Sequence, residues 1–155
     1  MRKFDESGLQ ISKFQARLFE SSASGTKGSS PVFINCFMHS DFADMMDSEA
    51  FAFGSFDSEK ILAEMNGIYK LDRGRLKYPA EELYWMGYVY RYWCYVHEVS
   101  SRTVYGIIRP EEMRALYLPY HSLDPESAIQ RICGAKNRKP GNSMLESLKK
   151  THNYH

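Results

Sequence analysis

Two arginine–histidine pairs are the first residues that could do chemistry. Arg91 and His97 are six positions apart, and Arg114 and His121 seven. An arginine that holds a scissile phosphate beside a histidine that moves its proton is a phosphodiester-cleaving arrangement. The competing, purely structural roles are an arginine stacked on neighbouring tyrosines and a histidine satisfying carbonyls at a helix end. Pro119 interrupts the second pair, so Arg114 and His121 do not belong to one uninterrupted helix. His39, Asp41 and Asp44 offer metal-binding side chains, but His39 and Asp41 are two apart and point to different sides of a helix. Cys94 lies inside an aromatic helix and reads as a packed thiol rather than a nucleophile. No glycine-rich phosphate loop, nucleophile elbow or paired cysteine–histidine site is present in the sequence, and nothing in it calls for a cofactor or a metal.

A nucleic-acid reading attaches to residues 88–108. A helix, a short turn at Glu98–Ser101 and a second short helix outline a helix-turn-helix, with Arg102, Thr103 and Tyr105 offered to a groove. One arginine is thin footing, because phosphate neutralisation supplies most of such affinity. The overall charge agrees: 20 Lys+Arg against 19 Asp+Glu leave a net +1 on 155 residues. From Gly134 onward stand Lys136, Arg138, Lys139, Lys149 and Lys150 against Glu146 alone. An acidic body with a short basic tail is not a protein built to coat nucleic acid.

The most unusual feature is aromatic. Trp (2), Tyr (11) and Phe (9) together make 14% of the chain, and seven of these residues fall between Tyr84 and Tyr95. Tyr, Trp and Arg dominate protein-binding hot spots, and the same rings could stack on bases. Core packing accounts for most of them, but a dozen consecutive helical residues cannot all face inward. The candidate partner-binding set is therefore Tyr84, Tyr88, Arg91, Tyr95 and Tyr120.

The elements that must position these residues are helical. Leu9–Glu20 carries apolar residues at helical spacing, and residues 21–30 form a Ser/Gly-rich loop. Ser30-Pro31 caps a helix running to about Met46. Phe51, Phe53 and Phe56 pin an ordered loop, and Asp57 or Ser58 caps a short helix to about Met65. Asp72-Arg73-Gly74 could close a small β-hairpin. Pro79 with Glu81 and Glu82 starts the central helix, which ends near His97, with Trp85, Val89, Trp93 and Val96 on one face. Two further proline-plus-acid starts, at Pro110 and Pro125, lead helices that stop at Pro119 and Gly134. These elements predict a mainly α, compact single-domain bundle of five to seven helices over residues 1–134, with a basic, flexible tail at 135–155. Met144, Leu145 and Leu148 could form a short docking turn in that tail. Cys36, Cys94 and Cys133 are too few for a disulfide framework, no leader opens the chain, and no apolar run spans a membrane. A cytoplasmic protein with reduced thiols is expected.

Two resemblances add expectations. The spacing of Arg91 and His97 resembles that of HEPN-type ribonucleases, which would make the chain an RNA-cleaving enzyme. The run Glu82-Leu83-Tyr84-Trp85-Met86-Gly87-Tyr88-Val89-Tyr90-Arg91-Tyr92-Trp93-Cys94 points elsewhere. So do Ser100-Ser101 with Val104-Tyr105, and Leu116-Tyr117-Leu118-Pro119-Tyr120-His121-Ser122-Leu123-Asp124-Pro125 with Ala128-Ile129 and Arg131-Ile132. With Pro31-Val32-Phe33-Ile34 and Phe37-Met38-x-Ser40, these segments resemble a family of small bacterial antitoxin-like proteins found beside an ADP-ribosyltransferase-like toxin. The resemblance spans about residues 4–133 and carries no catalytic assignment. It implies a non-enzymatic antitoxin that binds its cognate toxin, with operon autorepression through residues 100–108 as a further possibility.

Overall fold

A computed structural model describes residues 1–48 and 57–141. Among them the backbone forms nine helices: α1 (Glu6–Gly25), α2 (Ser30–Met38), α3 (Asp41–Asp47), α4 (Ser58–Ile68), α5 (Ala80–His97), α6 (Ser101–Ile107), α7 (Pro110–Ala115), α8 (Tyr117–Tyr120) and α9 (Pro125–Ala135). All contribute to one core, with α8 adding half-buried Tyr120. The expected mainly α single domain is present. Its helices outnumber the expected five to seven because two predicted helices are split.

The first split falls at His39-Ser40. The buried Ser40 hydroxyl donates to Phe37 O at 2.6 Å and accepts from Ala43 N at 3.2 Å. It closes α2 and caps α3 at once, and Asp41 and Asp44 then sit in the positive first turn of α3. The second split separates α7 from α8. Pro119 does not end a helix as expected but stands within α8, in the first turn, where backbone N–H groups have no intrahelical acceptor to lose.

The small hairpin is absent from the described residues. The backbone of 69–78 pairs with the start of α2 instead of with itself: Ser29 N donates to Arg73 O and Ser30 N to Leu76 O, each at 2.8 Å, and Tyr78 N donates to Ser30 Oγ at 2.9 Å. Ser30 is thereby drawn away from capping, and Ser29 caps α2. Gly74 takes φ +74 in this loop, a conformation that favours glycine. The other misplaced stop is Gly134, which lies inside α9. The left-handed residue is Asn137 at φ 53, and Arg138 N bonds back to Cys133 O at 3.0 Å in a Schellman closure. The loop expected around Phe51, Phe53 and Phe56 and the turn expected at Met144, Leu145 and Leu148 lie outside the described residues.

The axis of the fold is α1 packed antiparallel on α5. A Cβ added at Gly87 would stand 2.8 Å from Gln15 O and 3.0 Å from Ala16 Cα, so the two backbones touch there. Lys77, just before α5, reaches the other end of α1 and donates to Ser22 O, Thr26 O and Thr26 Oγ1 at 2.6–2.9 Å. It satisfies the carbonyls that a helix C-terminus leaves unpaired. Behind this pair Phe19 meets Phe33, Phe37 and Tyr90 edge-on, while Phe33 and Phe37 stack on each other. Among the described residues no helix is long and apolar enough to cross a membrane.

Candidate functional site

Around α5 the sequence-selected residues separate into two groups. Leu83, Met86, Gly87, Val89, Tyr90, Arg91, Trp93, Cys94 and Val96 are buried. Tyr84, Tyr88, Tyr92 and Tyr95 recur at intervals of four, four and three and remain half-exposed along one stripe. The helical repeat of 3.6 residues dictates that division once Gly87 is pressed against α1.

Arg91 is 1% exposed, so it does not belong to a partner-facing surface; this corrects its assignment. Its guanidinium donates through Nε to Gln15 Oε1 (2.7 Å), through Nη1 to Asp47 Oδ1 (2.6 Å) and through Nη2 to Ser101 Oγ (2.7 Å). Asp47 in turn accepts from Ser101 N at 2.9 Å and Ser101 Oγ at 2.7 Å. Gln15 Nε2 donates to Gly87 O at 3.1 Å. Four helices, α1, α3, α5 and α6, meet in this network. A desolvated guanidinium is tolerable only when its charge and donors are met in this way.

His97 belongs elsewhere. Its Nε2 lies 2.9 Å from both Glu126 carboxylate oxygens, tying the end of α5 to the start of α9. Arg91 and His97 therefore serve separate neighbours and form no shared phosphate site. The second pair is also divided: Arg114 bonds Glu82 at 3.4 Å and lies over the Tyr78 ring, whereas His121 stacks on Tyr117 and bonds Tyr117 O. Burial pushes the Cys94 thiol up to about 11. At neutral pH it is a protonated, poor nucleophile.

The groove-reading residues make local contacts. Arg102 Nη2 donates to His39 O at 2.8 Å and pairs with Asp44 at 3.2 Å, and the hydrogen bond to the Asp44 carboxylate raises its pKa. Thr103 N completes the Ser100 cap, and Tyr105 meets the His39 ring edge-on at 4.8 Å. Arg102 is thus paired with a carboxylate of α3 in an exposed ion pair. His39 itself bonds Asn35 O through Nδ1, away from Asp41 and Asp44. Among the described residues no cluster of three or more His, Cys, Asp or Glu could hold a metal ion.

What the stripe does carry is the start of the chain. The Phe4 ring sits 4.6 Å from Tyr92 and 6.4 Å from both Tyr88 and Tyr95. The Arg2 guanidinium lies over the Tyr95 ring at 4.0 Å, and Arg2 N donates to Val96 O at 2.6 Å. Tyr95 OH donates to Asp5 Oδ1 at 2.5 Å, and the same oxygen caps α1 by accepting from Gly8 N. That phenol, then the Gly8 amide, lowers the Asp5 carboxyl below its usual value. Burial first, then the carboxylates of Glu126 and Asp124, raises the Tyr92 phenol. At the α5 end of the stripe a cavity of about 240 Å³ is lined by Arg2, Asp47, Arg91, Cys94, Tyr95 and Glu98, among others. Glu98 is left-handed at φ 54, a conformation costing a non-glycine residue about 1 kcal/mol.

Tyr120 is half-buried on α8, an element that meets α5 through Trp85 and Tyr117, whose rings cross at 5.8 Å. Trp93, counted with the aromatic face, is fully buried and donates from Nε1 to Pro140 O at 2.9 Å, so the chain after α9 folds back over it. Tyr92 was legible as part of the Tyr88 series at i+4. Gln15, Asp47 and Ser101 had no local signal, since their common partner is set by tertiary packing. Compared with protein-family models, with curated proteins and with solved structures, the chain matches none of them.

Proposed function

We propose that this chain is a protein-binding module, acting as the antitoxin of a bacterial toxin–antitoxin pair, and that the tyrosine stripe of α5 is its contact surface. The observation that supports this reading most is the stripe itself. Tyr84, Tyr88, Tyr92 and Tyr95 stay half-exposed on the helix whose other side organises the core, with the carboxylates of Asp5, Asp124 and Glu126 beside them. Aromatic rings rimmed by carboxylates suit a partner that is itself basic, as an enzyme handling a phosphate-rich cofactor or nucleic acid would be. The ribonuclease alternative is disfavoured because Arg91 and His97 are each committed to separate structural bonds.

The test is co-expression with the product of the adjacent gene. Growth arrest by that product alone should be relieved by this chain, and Tyr84→Ser/Tyr88→Ser should abolish relief while leaving the helical circular-dichroism signal intact. Growth arrest caused by this chain alone, and abolished by His97→Ala, would favour the ribonuclease and overturn the antitoxin reading.

A further inference from the structure

We propose that the stripe takes a basic–aromatic segment of the partner, seated where Arg2 and Phe4 of this chain now lie, so that residues 1–4 are a built-in competitor for the site; this rests on the protein-binding reading above. The seat has two places. A cation lies on the Tyr95 ring, where Arg2 now sits, with Asp5 beside it and the cavity that Asp47 and Glu98 help to line at its edge. An aromatic ring lies between Tyr88, Tyr92 and Tyr95, where Phe4 now sits. Each place matches its occupant physically: a guanidinium is drawn to the ring face and nearby carboxylates, and a phenyl ring packs at tilted or edge-on angles.

The present occupant is suited to displacement. Met1 is 84% exposed and Lys3 is exposed, so the arm lies on the surface rather than in the core. The bonds of Asp5 to Gly8 N and Tyr95 OH involve neither Arg2 nor Phe4, so lifting the arm breaks Arg2 N to Val96 O without breaking the cap of α1. The arm also leaves Tyr84, the next member of the stripe, beyond Phe4's ring contacts. A longer partner segment would gain that ring as well. An intramolecular occupant lowers the apparent affinity of any incoming segment by the fraction of molecules in which the seat is filled.

A labelled synthetic peptide spanning residues 1–8 of this chain serves as the probe, titrated by fluorescence polarisation into the full-length protein and into full-length Arg2→Ala/Phe4→Ala. Saturable binding is expected, at least tenfold tighter to the double variant than to the unaltered chain. A peptide carrying Arg2→Glu/Lys3→Glu should bind at least tenfold more weakly, and Tyr92→Ala added to the double variant should weaken binding of the original peptide by a similar factor. Absence of saturable binding, equal affinity for the two proteins, or indifference to the charge reversal would each overturn the inference. Should circular dichroism show the double variant unfolded, Arg2→Ala alone makes the same comparison. The titration needs no toxin. Neutralisation through the stripe without peptide binding sinks this inference alone, and peptide binding without neutralisation sinks the antitoxin reading alone.

Discussion

The two sides of α5 are built from similar residues and do opposite work. On the side facing α1, α3 and α6, Tyr90 and Arg91 are buried completely, and each polar atom is matched: Tyr90 OH to Ile108 O at 2.7 Å, and the guanidinium to three helices. On the other side, Tyr88, Tyr92 and Tyr95 touch the Phe4 ring of a surface arm, and with Tyr84 they stay half-exposed. A tyrosine or an arginine therefore says little by its type. What decides its role is whether a neighbouring backbone comes close enough to desolvate it, and Gly87 is where that happens.

If the buried side is structural, the largest effect should come from Arg91→Met. It removes the cation paired with the Asp47 carboxylate and the donor to Gln15 Oε1, and about 3–5 kcal/mol of stability should be lost, read as a lower urea midpoint. A loss under about 1 kcal/mol would break the distinction between the two sides. Next is Tyr90→Phe, which leaves Ile108 O without its phenol donor at a cost of about 1–3 kcal/mol. The same residue contributes to alkaline behaviour. Burial holds the Tyr90 phenol well above its ordinary value, so its folded pKa exceeds an unfolded pKa of about 10. Its contribution is therefore complete below pH 10 and is lost as pH rises toward the folded value. Tyr90→Phe should flatten part of that alkaline loss of stability in urea titrations above pH 10.

Smaller effects belong to the stripe. Tyr88→Ser should change stability by about 1 kcal/mol or less, since the side chain is only half-buried. A larger loss would make the stripe part of the core. Asp5→Asn should give the smallest change and the opposite pH dependence. The Asp5 carboxyl is lowered in the fold, chiefly by the Tyr95 hydroxyl, so its contribution is present above its unfolded pKa and lost as pH falls through the folded value. Thermal melts between pH 2 and 5 should show a shallower acid slope in the variant than in the parent.

Much of the fold was legible locally. Asp5, Ser40, Asp57, Ser100 and Asp124 each accept a bond from the backbone N–H three residues on, and Pro31, Pro110 and Pro125 stand in first turns. Of these caps, Asp5 was not read as one, since the first helix was expected only from Leu9, and Ser40 was read as mid-helix, because a serine inside an apolar run shows its capping role only when Phe37 O is within reach. The absent hairpin failed for the same kind of reason. Its turn residues were suitable, but the acceptors at Arg73 and Leu76 found donors on Ser29 and Ser30 rather than across a second strand. At the site, Tyr84, Tyr88 and Tyr95 followed from the helical period. Arg91 was misplaced because it stands in sequence among the tyrosines of α5, one residue before Tyr92 of the stripe, and only the partners at positions 15, 47 and 101 reveal its burial.

By itself the sequence determined that the chain is helical, where most helices begin, and that one helix carries more tyrosine than a core can absorb. Those properties are set within a few residues, by capping side chains, proline geometry and a 3.6-residue repeat. Only the tertiary structure decided which side of α5 is buried, that Arg91 and His97 face different neighbours, and that the chain's own Arg2 and Phe4 rest on the exposed tyrosines. Each of those outcomes depends on contacts between residues far apart in the chain, where backbone approach and desolvation, rather than local propensity, set the energy.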